Sequence, residues 1–332
     1  MLCQIKKKMG KKCLYCYQLI DGETDFHEKC CLGFFGTTTP PEVPYSIDQM
    51  AELAKEVVER SVAVPGVQAK LSLSVVKETR GKSGTRLTVV GSLGGQYILK
   101  PPSDKYPEMP ENEHLTMRIA EAFGIRVVPS SLIRLASGEL SYITKRVDRT
   151  ESGKKIHMLD MFQITEAFDK YKSSMEKVGK ALNAYSENTL LDKLFYFELS
   201  LFSFFTGNND MHLKNFSMIE GQSGWILAPA YDLLNVAIIL PEDTEELALT
   251  LDGKKKKLKK EHFEKLANGL QLNERQINGV FNRMLNNKRK AQEWINNSFL
   301  SEEMKTDYME VVQSRYEQLS LRPDSHQLGK KP

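Results

Sequence analysis

The segment 190–205 constrains the fold most strongly, because apolar residues are distributed around all of its sides. Such a segment is typical of a helix buried at the centre of a large helical lobe. Gly207 ends it, and the loop 207–215 that follows carries three asparagines, an aspartate, a histidine and a lysine. Delivering so polar a loop from a buried helix costs free energy. The sequence therefore predicts that the loop is functional.

Composition places the chain in the globular class. Its 332 residues are 41% hydrophobic and 27% charged, which is enough for a substantial core in one large domain or two lobes. The formal net charge of +3 predicts no general attraction to nucleic acid or membrane. No apolar run reaches the roughly 18 residues of a membrane-spanning helix, and the first residues lack the apolar core of a signal peptide. We therefore expect a cytoplasmic protein.

Three regions are predicted along the chain. Residues 1–44 form a Cys- and His-rich segment that ends in a proline run, which favours an extended connection. Residues 45–150 combine short β-prone segments with two helical segments, so we expect a strand-rich lobe containing an antiparallel sheet. Residues 151–325 carry mostly helical periodicity. The sequence therefore predicts an α+β fold in which a small strand-rich lobe precedes a larger helical lobe.

The spacing of Asp210 and Asn215 suits phosphoryl transfer. In that chemistry a carboxylate orients or deprotonates the attacking hydroxyl, while an amide oxygen five residues later holds a metal ion on the phosphates. Lys214 would neutralise charge on the transferred group. The alternative is a polar turn that Asn and Asp side chains simply cap.

Asp232 stands alone among apolar neighbours after a predicted hairpin. By itself it would be either a helix N-cap or a ligand for a hard cation. The hairpin separates it from Asp210 and Asn215 by a short stretch of chain, and phosphoryl transfer needs a second carboxylate on its metal ion. Asn215 and Asp232 are therefore the predicted magnesium ligands.

Lys100 ends an apolar segment of the predicted sheet, and Glu113 opens the next predicted helix. A strand lysine held by a helix glutamate can grip the α- and β-phosphates of ATP. Two unrelated surface charges are the alternative. The turn around Gly66 can fold over phosphates with its backbone N–H groups, although a plain turn is the default because its glycine spacing matches no common phosphate loop.

Seven segments resemble, in the same order, those of HipA-type kinases. They are residues 61–73, 97–101, 112–113, 146–149, 160–163, 209–217 and 230–234. The order of spaced motifs is far more specific than any one of them, and the similarity covers the chain from about residue 60 to 310. The resemblance implies a two-lobed kinase-like fold and serine/threonine phosphorylation with ATP and magnesium.

The resemblance also assigns residues by matching position. Asp210 matches the catalytic base, Asn215 and Asp232 match metal ligands, and Lys100 matches the phosphate-binding lysine. The adenine-contacting hinge would be the backbone of residues 145–147, where Val147 replaces the usual Phe. The nucleotide-contacting positions taken together are Gly66, Gln68, Lys70, Lys100, Glu113, Lys145 and Val147.

Regulation and partners are further implications of the resemblance. Family members phosphorylate a serine shortly before the Gly-x-Gln-x-Lys loop; Ala63 occupies the closest position here, so Ser61 is the candidate autophosphorylation site. Only some 60 residues precede this segment, as in a short, HipT-like form without the amino-terminal subdomain. That form predicts a small HipS-like partner protein and a helix-turn-helix antitoxin. An aminoacyl-tRNA synthetase is the implied substrate class.

The amino-terminal segment predicts a separate metal site. Cys13, Cys16, His27 and Cys30 form two knuckle-like pairs of soft ligands suited to tetrahedral zinc, and Cys31 is an alternative fourth ligand. All five cysteines lie within the first 31 residues, which argues against a disulfide framework. A set of free thiols in a reducing compartment remains the alternative.

Two other functions fit the same residues. A small-molecule phosphotransferase of kinase-like fold would share the Asp…Asn loop and the later Asp, and a catalytically silent subunit would bind nucleotide without turnover. Intact Lys100, Asp210, Asn215 and Asp232 argue against the silent subunit. The lysine run 254–257 is more typical of a solvated face than of a nucleic-acid patch, so direct nucleic-acid binding is not expected.

Overall fold

The computed structural model describes residues 10–60, 70–77, 84–90 and 94–320. Its fold mixes helix and sheet, as predicted, with a sheet-rich part and a helical part. The chain divides into two compact units. Unit 1 comprises Met1–Asp104 and Pro129–Arg146, and unit 2 comprises Lys105–Val128 and Val147–Pro332.

Unit 1 is built on a five-stranded antiparallel sheet with the strand order β4-β3-β5-β7-β6. The sheet strands are β3 (Leu71–Lys77), β4 (Thr85–Val90), β5 (Tyr97–Lys100), β6 (Ser130–Arg134) and β7 (Leu140–Lys145). Ahead of them lie the two-residue strands β1 (Lys11–Lys12) and β2 (Leu19–Ile20), then helices α1 (Glu28–Phe35) and α2 (Ile47–Arg60). Strands β6 and β7 pair directly with each other, from Ser130 opposite Thr144 to Arg134 opposite Leu140.

Close backbone packing fixes the start of β5. Gly95 has a φ of +81°, and a Cβ atom there would lie 2.8 Å from the carbonyl oxygen of Leu73 on the neighbouring strand. Only glycine fits such an approach without strain. The register then places Leu99 opposite both Leu71 and Ile143, and all three side chains are buried. Lys100 follows at the end of the strand, opposite Tyr142.

Unit 2 is mostly helical and contains a three-stranded antiparallel sheet of order β10-β9-β8. Its strands are β8 (Met158–Asp160), β9 (Ser217–Glu220) and β10 (Trp225–Leu227). Its helices are α3 (Met109–Ala122), α4 (Met161–Ile164), α5 (Met175–Tyr185), α6 (Thr189–Phe205), α7 (Lys260–Gly269), α8 (Glu274–Asn297) and α9 (Glu302–Gln318), together with a 3-10 turn at Leu213–Asn215. The hairpin predicted before Asp232 is confirmed as β9 and β10.

Helix α6 forms the centre of unit 2. From Phe195 onward every side chain to its end at Phe205 is buried. Phe202 packs edge-on against Phe123, the C-cap residue of α3, and Phe205 stacks on Tyr316 of α9 at a centroid separation of 4.3 Å. Burial begins two residues later than the sequence predicted, at Asp192, since Leu190 and Leu191 are exposed at the start of the helix. Among the described residues, no helix combines the length and apolarity needed to cross a bilayer.

Candidate functional site

The loop 207–215 leaves α6 at a fixed point. Gly207 has a φ of +68°, and a Cβ atom there would lie 2.6 Å from Asn235 Oδ1 and 2.7 Å from Val311 Cγ1. The backbone N–H of Ala237 donates to the carbonyl oxygen of Gly207 over 3.0 Å. Glycine is therefore required where the loop begins, and the segment around residue 235 is tied to the same point.

Hydrogen bonds hold Asp210 and Asn215 together across the loop. The Asn215 Nδ2 group donates to the backbone carbonyl of Asp210 over 3.0 Å, and the backbone N–H of His212 donates to the same oxygen over 2.8 Å. The Tyr171 hydroxyl donates to Asp210 Oδ1 over 2.7 Å. Asp210 is half-buried, whereas Asn215 is buried. The carboxylate is thus oriented but still reachable.

Asp232 belongs to the same cluster. The pKa of His212 is lowered overall, mainly by burial and also by the Lys170 ammonium group. The Asp210 and Asp232 carboxylates both oppose this effect and raise the pKa. Both carboxylates therefore lie close enough to act on one imidazole. A tether keeps them there, because the hydroxyl of Tyr231 donates to the carbonyl oxygen of Lys214 over 3.0 Å.

The backbone at Asp232 is unusual. Its φ of +60° lies in the left-handed region, which few residues other than glycine, Asn and Asp adopt readily. Strained backbone of this kind persists where the surrounding structure holds it and is frequent at functional sites. This conformation is not that of an ordinary helix N-cap, which has extended backbone, and no helix begins within the four residues that follow Asp232.

A reciprocal amide pair supports this segment and was missed by sequence reasoning. Asn112 Nδ2 donates to the carbonyl oxygen of Asn235, and the backbone N–H of Asn235 donates to Asn112 Oδ1, both over 2.8 Å. Both side chains are fully buried. The pair ties the chain just after Asp232 to α3, the helix that also carries the buried Glu113. Tyr171, the partner of Asp210, was likewise missed, since no motif surrounds it.

Several polar atoms of the loop are buried without a hydrogen-bond partner among the described residues. They are Asn208 Nδ2, Asn209 Oδ1 and His212 Nδ1. Unsatisfied buried polar atoms cost free energy and are rare unless a site uses them or a water or ion satisfies them. Their concentration beside Asp210 fits a site that receives a polar ligand.

Lys214 lies on the exposed side of the loop. Its ammonium group is 4.9 Å from the ring centroid of Phe162 in α4. The Lys214 charge also affects Asp160. Burial raises the pKa of the Asp160 carboxyl overall, whereas a hydrogen bond from the Gln163 backbone N–H and the Lys214 charge lower it. Lys214 thus faces α4 in this structure, and its predicted role at the transferred group stays a prediction.

The residues predicted to bind nucleotide are distributed over both units. In unit 1, Lys100 is only 5% exposed, and its ammonium group lies 5.3 Å from the ring centroid of Tyr142. The surface-lysine alternative for Lys100 is therefore wrong. Lys145 is half-buried at the end of β7, with its ammonium group 5.7 Å from the Phe34 ring centroid, and Lys70 is exposed. In unit 2, Glu113 is 1% exposed and Val147 is half-buried.

Three predicted positions lie outside the described residues: Ser61, Gly66 and Gln68.

A second cluster of functional side chains, in unit 1, lies within the described residues. The ligand atoms of Cys13, Cys16, His27 and Cys30 all lie within 4.8 Å of one another. Cys31, the alternative fourth ligand, is outside this group, and its thiol hydrogen-bonds with the Thr37 side chain.

A known protein family matches most of this chain. The model of the HipA-like C-terminal domain matches residues 62–292, about 70% of the chain. The chain therefore belongs to the HipA-like C-terminal domain family, and the resemblance inferred from the seven motif segments is confirmed.

Curated relatives carry kinase names. A Haemophilus influenzae protein with a provisional kinase name is 30% identical over 59% of this chain and 59% of its own length. The Sinorhizobium fredii protein Y4dM, also provisionally named a kinase, is 31% identical over 73% of this chain and 60% of its own length. This chain thus spans about three fifths of the length of these relatives.

Solved structures show the same fold at low identity. A Shewanella oneidensis MR-1 structure, described as the toxin–antitoxin proteins HipA and HipB with operator DNA, aligns with a TM-score of 0.64 at 20% identity, covering 84% of this chain and 74% of that one. The Helicobacter pylori proinflammatory kinase CtkA aligns with a TM-score of 0.51 at 16% identity, covering 75% and 93%. The predicted kinase-like fold is confirmed.

Proposed function

We propose that this chain is an ATP- and magnesium-dependent serine/threonine protein kinase. The observation that carries the proposal is the loop 207–215, in which hydrogen bonds hold Asp210 against Asn215 while Asp232 lies near enough to act on the same histidine. Phosphoryl transfer needs little more from a protein than such positioning and charge stabilisation. Membership of the HipA-like family supports the same reaction.

The proposed roles follow from the chemistry of the side chains. Asp210, oriented by the Tyr171 hydroxyl, would accept the proton of the substrate hydroxyl. Asn215 and Asp232 offer the amide and carboxylate oxygens that magnesium prefers. A bound magnesium ion would offset the charge of the phosphates. Lys214 would act on the transferred group if its side chain turned away from Phe162.

The proposed ATP-binding residues are those that the family resemblance assigns. Lys100 would bind the α- and β-phosphates, supported by Glu113, and the backbone of residues 145–147 would contact adenine. Gly66, Gln68 and Lys70 would cover the phosphates. The burial of Lys100, which is only 5% exposed, supports this role, because a buried ammonium group is suited to a specific anion rather than to bulk solvent.

The biological setting is also a proposal. By analogy with the family, the enzyme would act in the cytoplasm as part of a toxin–antitoxin system, with an aminoacyl-tRNA synthetase as a substrate and Ser61 as a site of autophosphorylation. A small HipS-like protein and a helix-turn-helix antitoxin would be its partners. The likeness to a complex of HipA and HipB supports the fold underlying this proposal.

Transfer from γ-labelled ATP in a bacterial lysate tests the proposal. The purified chain and its Asp210→Ala variant are added to parallel lysates with magnesium. Labelling of a lysate protein that depends on Asp210 supports a protein kinase and identifies the substrate by mass spectrometry. Asp210-dependent labelling of small molecules alone would point to a phosphotransferase, and equal labelling by the variant would remove Asp210 from its proposed role.

A further inference from the structure

The cysteine and histidine cluster of unit 1 has the dimensions of a metal site. Tetrahedral zinc bonded to sulfur at about 2.3 Å and to nitrogen at about 2.0 Å places its ligand atoms roughly 3.5–3.8 Å apart. The distance from Cys16 Sγ to His27 Nδ1 is 3.3 Å, and from Cys30 Sγ to the same nitrogen 3.9 Å. With Cys13, the four ligand atoms lie within 4.8 Å of one another.

The second nitrogen of His27 fixes the orientation of the ring. Nε2 lies 3.0 Å from the carbonyl oxygen of Leu19. A carbonyl oxygen can only accept, so Nε2 carries the proton and Nδ1 keeps its lone pair, facing the sulfur atoms. Metal-bound histidines commonly donate their other ring N–H to a carbonyl in this way.

Backbone N–H groups surround two of the sulfur atoms. The N–H groups of Cys16, His27 and Tyr15 hydrogen-bond to the Cys13 sulfur, and that of Gln18 to the Cys16 sulfur. The N–H groups of Tyr15, Cys16 and Gln18 belong to the turn 13–18, which is closed by a hydrogen bond from the backbone N–H of Cys13 to the carbonyl oxygen of Gln18, over 2.9 Å.

We propose that Cys13, Cys16, His27 and Cys30 bind one structural Zn²⁺ ion. All four positions of a tetrahedral site are filled by protein, which leaves none open for substrate, as in structural rather than catalytic zinc sites. The segment 10–36 that holds them, here called the amino-terminal module, contains two strands of two residues and one helix of eight. So short a segment cannot bury a core of its own, and small modules of this size commonly depend on a metal or disulfides.

The module is joined to the sheet of unit 1. Phe34 and Phe35 lie 5.8 Å and 6.1 Å from the Tyr97 ring of β5, measured between ring centroids. On β6, the backbone N–H of Leu132 donates to the carbonyl oxygen of Leu14 over 3.3 Å, and Arg134 forms an ion pair with Asp25 over 3.2 Å. Zinc would therefore stabilise the face of the sheet that these contacts cover. The inference is independent of the proposed phosphoryl transfer.

Metal analysis of three purified chains tests the site. The wild type, Cys16→Ser and Cys31→Ser are produced without a metal-affinity tag and analysed by inductively coupled plasma mass spectrometry. Cys16 is half-buried, so its replacement disturbs packing least among the cysteine ligands, whereas Cys31 is fully buried beside the cluster and serves as the matched control. We expect about one zinc per chain in the wild type and Cys31→Ser, and a loss of most zinc in Cys16→Ser.

Cobalt substitution keeps the test decisive if Cys16→Ser fails to fold. Metal-free wild type, prepared with a chelator and a reductant, is titrated with Co²⁺ while the visible spectrum is recorded. Intense ligand-field bands and a sulfur-to-cobalt charge-transfer band saturating at one equivalent would support a tetrahedral thiolate site. A metal-free wild type as purified combined with a weak octahedral cobalt spectrum would overturn the proposal, as would equal zinc loss in both variants.

Discussion

Two clusters of potential metal ligands differ in how the chain builds them. The cluster of unit 1 takes sulfur and imidazole from residues 13–30 and brings all four ligand atoms within 4.8 Å. The cluster of unit 2 takes oxygen ligands from residues 210–232 and relies on distant partners, Tyr171 and the Asn112–Asn235 pair. One is locally closed, and the other is open to a ligand and built from tertiary contacts.

The difference teaches what each cluster is suited to do. Four soft protein ligands complete the coordination of a zinc ion and leave it no open position for a substrate. In the described part of the chain, several buried polar atoms of the loop 207–215 have no hydrogen-bond partner. Such a loop suits a hard cation shared with a bound molecule, because magnesium usually keeps waters or phosphate oxygens in its shell. Removing the first should affect stability, and altering the second should affect catalysis.

The largest expected effect is on phosphoryl transfer by Asp210→Asn. Loss of the base should lower the transfer rate by about 100-fold to 10,000-fold, while zinc content and melting temperature stay as in the wild type. Labelled-ATP kinetics measure the rate. Glu303→Gln, which alters an exposed carboxylate of α9 in the same unit, is the control and should retain full activity. Equal loss in both variants would contradict a special role for Asp210.

Removal of zinc by a chelator should affect the cysteine and histidine cluster of unit 1. A strong zinc chelator under reducing conditions is expected to lower the melting temperature of the wild type by several degrees, because a structural zinc ion contributes folding free energy. Added zinc should restore it and added magnesium should not. Cys31→Ser should respond as the wild type does in differential scanning calorimetry. An unchanged melting temperature, or full recovery with magnesium, would contradict the claim that the unit 1 cluster binds a stabilising zinc ion.

Gly207→Ala tests whether the open cluster depends on tertiary packing. The left-handed φ and the close approach of Asn235 and Val311 should make the variant less stable by about 1–3 kcal/mol. Urea unfolding measures the loss. Gly253→Ala, at a closely similar φ of +74° with open space around it, is the control for backbone strain alone and should cost less. Equal losses would mean that packing against Asn235 does not matter.

Stability should depend on pH through Glu111 at the start of α3. Burial raises the pKa of its carboxyl from 4.5 to about 7. A backbone hydrogen bond lowers this pKa, and the nearby Glu108 carboxylate raises it further. Its ionisation therefore costs folding free energy as pH rises from 4.5 through 7, and the cost is absent below 4.5. Glu111→Gln should become more stable than the wild type by about 1–2 kcal/mol at pH 8 and not at pH 4. A difference independent of pH would contradict this.

The smallest effect is expected for Tyr171→Phe. The variant loses one hydrogen bond to Asp210, worth about 1 kcal/mol, so kcat should fall roughly 3-fold to 10-fold with little change in the KM for ATP. Steady-state kinetics separate the two constants. Tyr185→Phe, which alters an exposed tyrosine of the same unit, is the control. A rise in KM without a fall in kcat would show that Tyr171 serves binding rather than orientation.

The same contrast explains which parts could be predicted from sequence. The soft ligands were found because their spacing is local, and the structure then selected Cys30 over Cys31. The polar loop was found because it interrupts an apolar pattern. Both signals lie within short stretches of chain.

What sequence reasoning missed depends on distant contacts. Tyr171 lies 39 residues from Asp210, and Asn112 lies 123 residues from Asn235, so no local spacing reveals either pair. The burial of Lys100 depends on two neighbouring strands, which is why a surface lysine stayed an open alternative. The exposure of Leu190 and Leu191 was missed for the same reason, because periodicity cannot tell where a helix emerges from its neighbours.

Native mass spectrometry with magnesium and ATP tests the separation of the two clusters most directly. Wild type, Asp232→Asn and Cys16→Ser are compared, and Asn tolerates the left-handed backbone at position 232. The wild type should carry one zinc and bind magnesium–ATP. Asp232→Asn should keep its zinc and lose most of the magnesium–ATP complex, and Cys16→Ser should lose its zinc. Undiminished magnesium–ATP binding by Asp232→Asn would contradict the account.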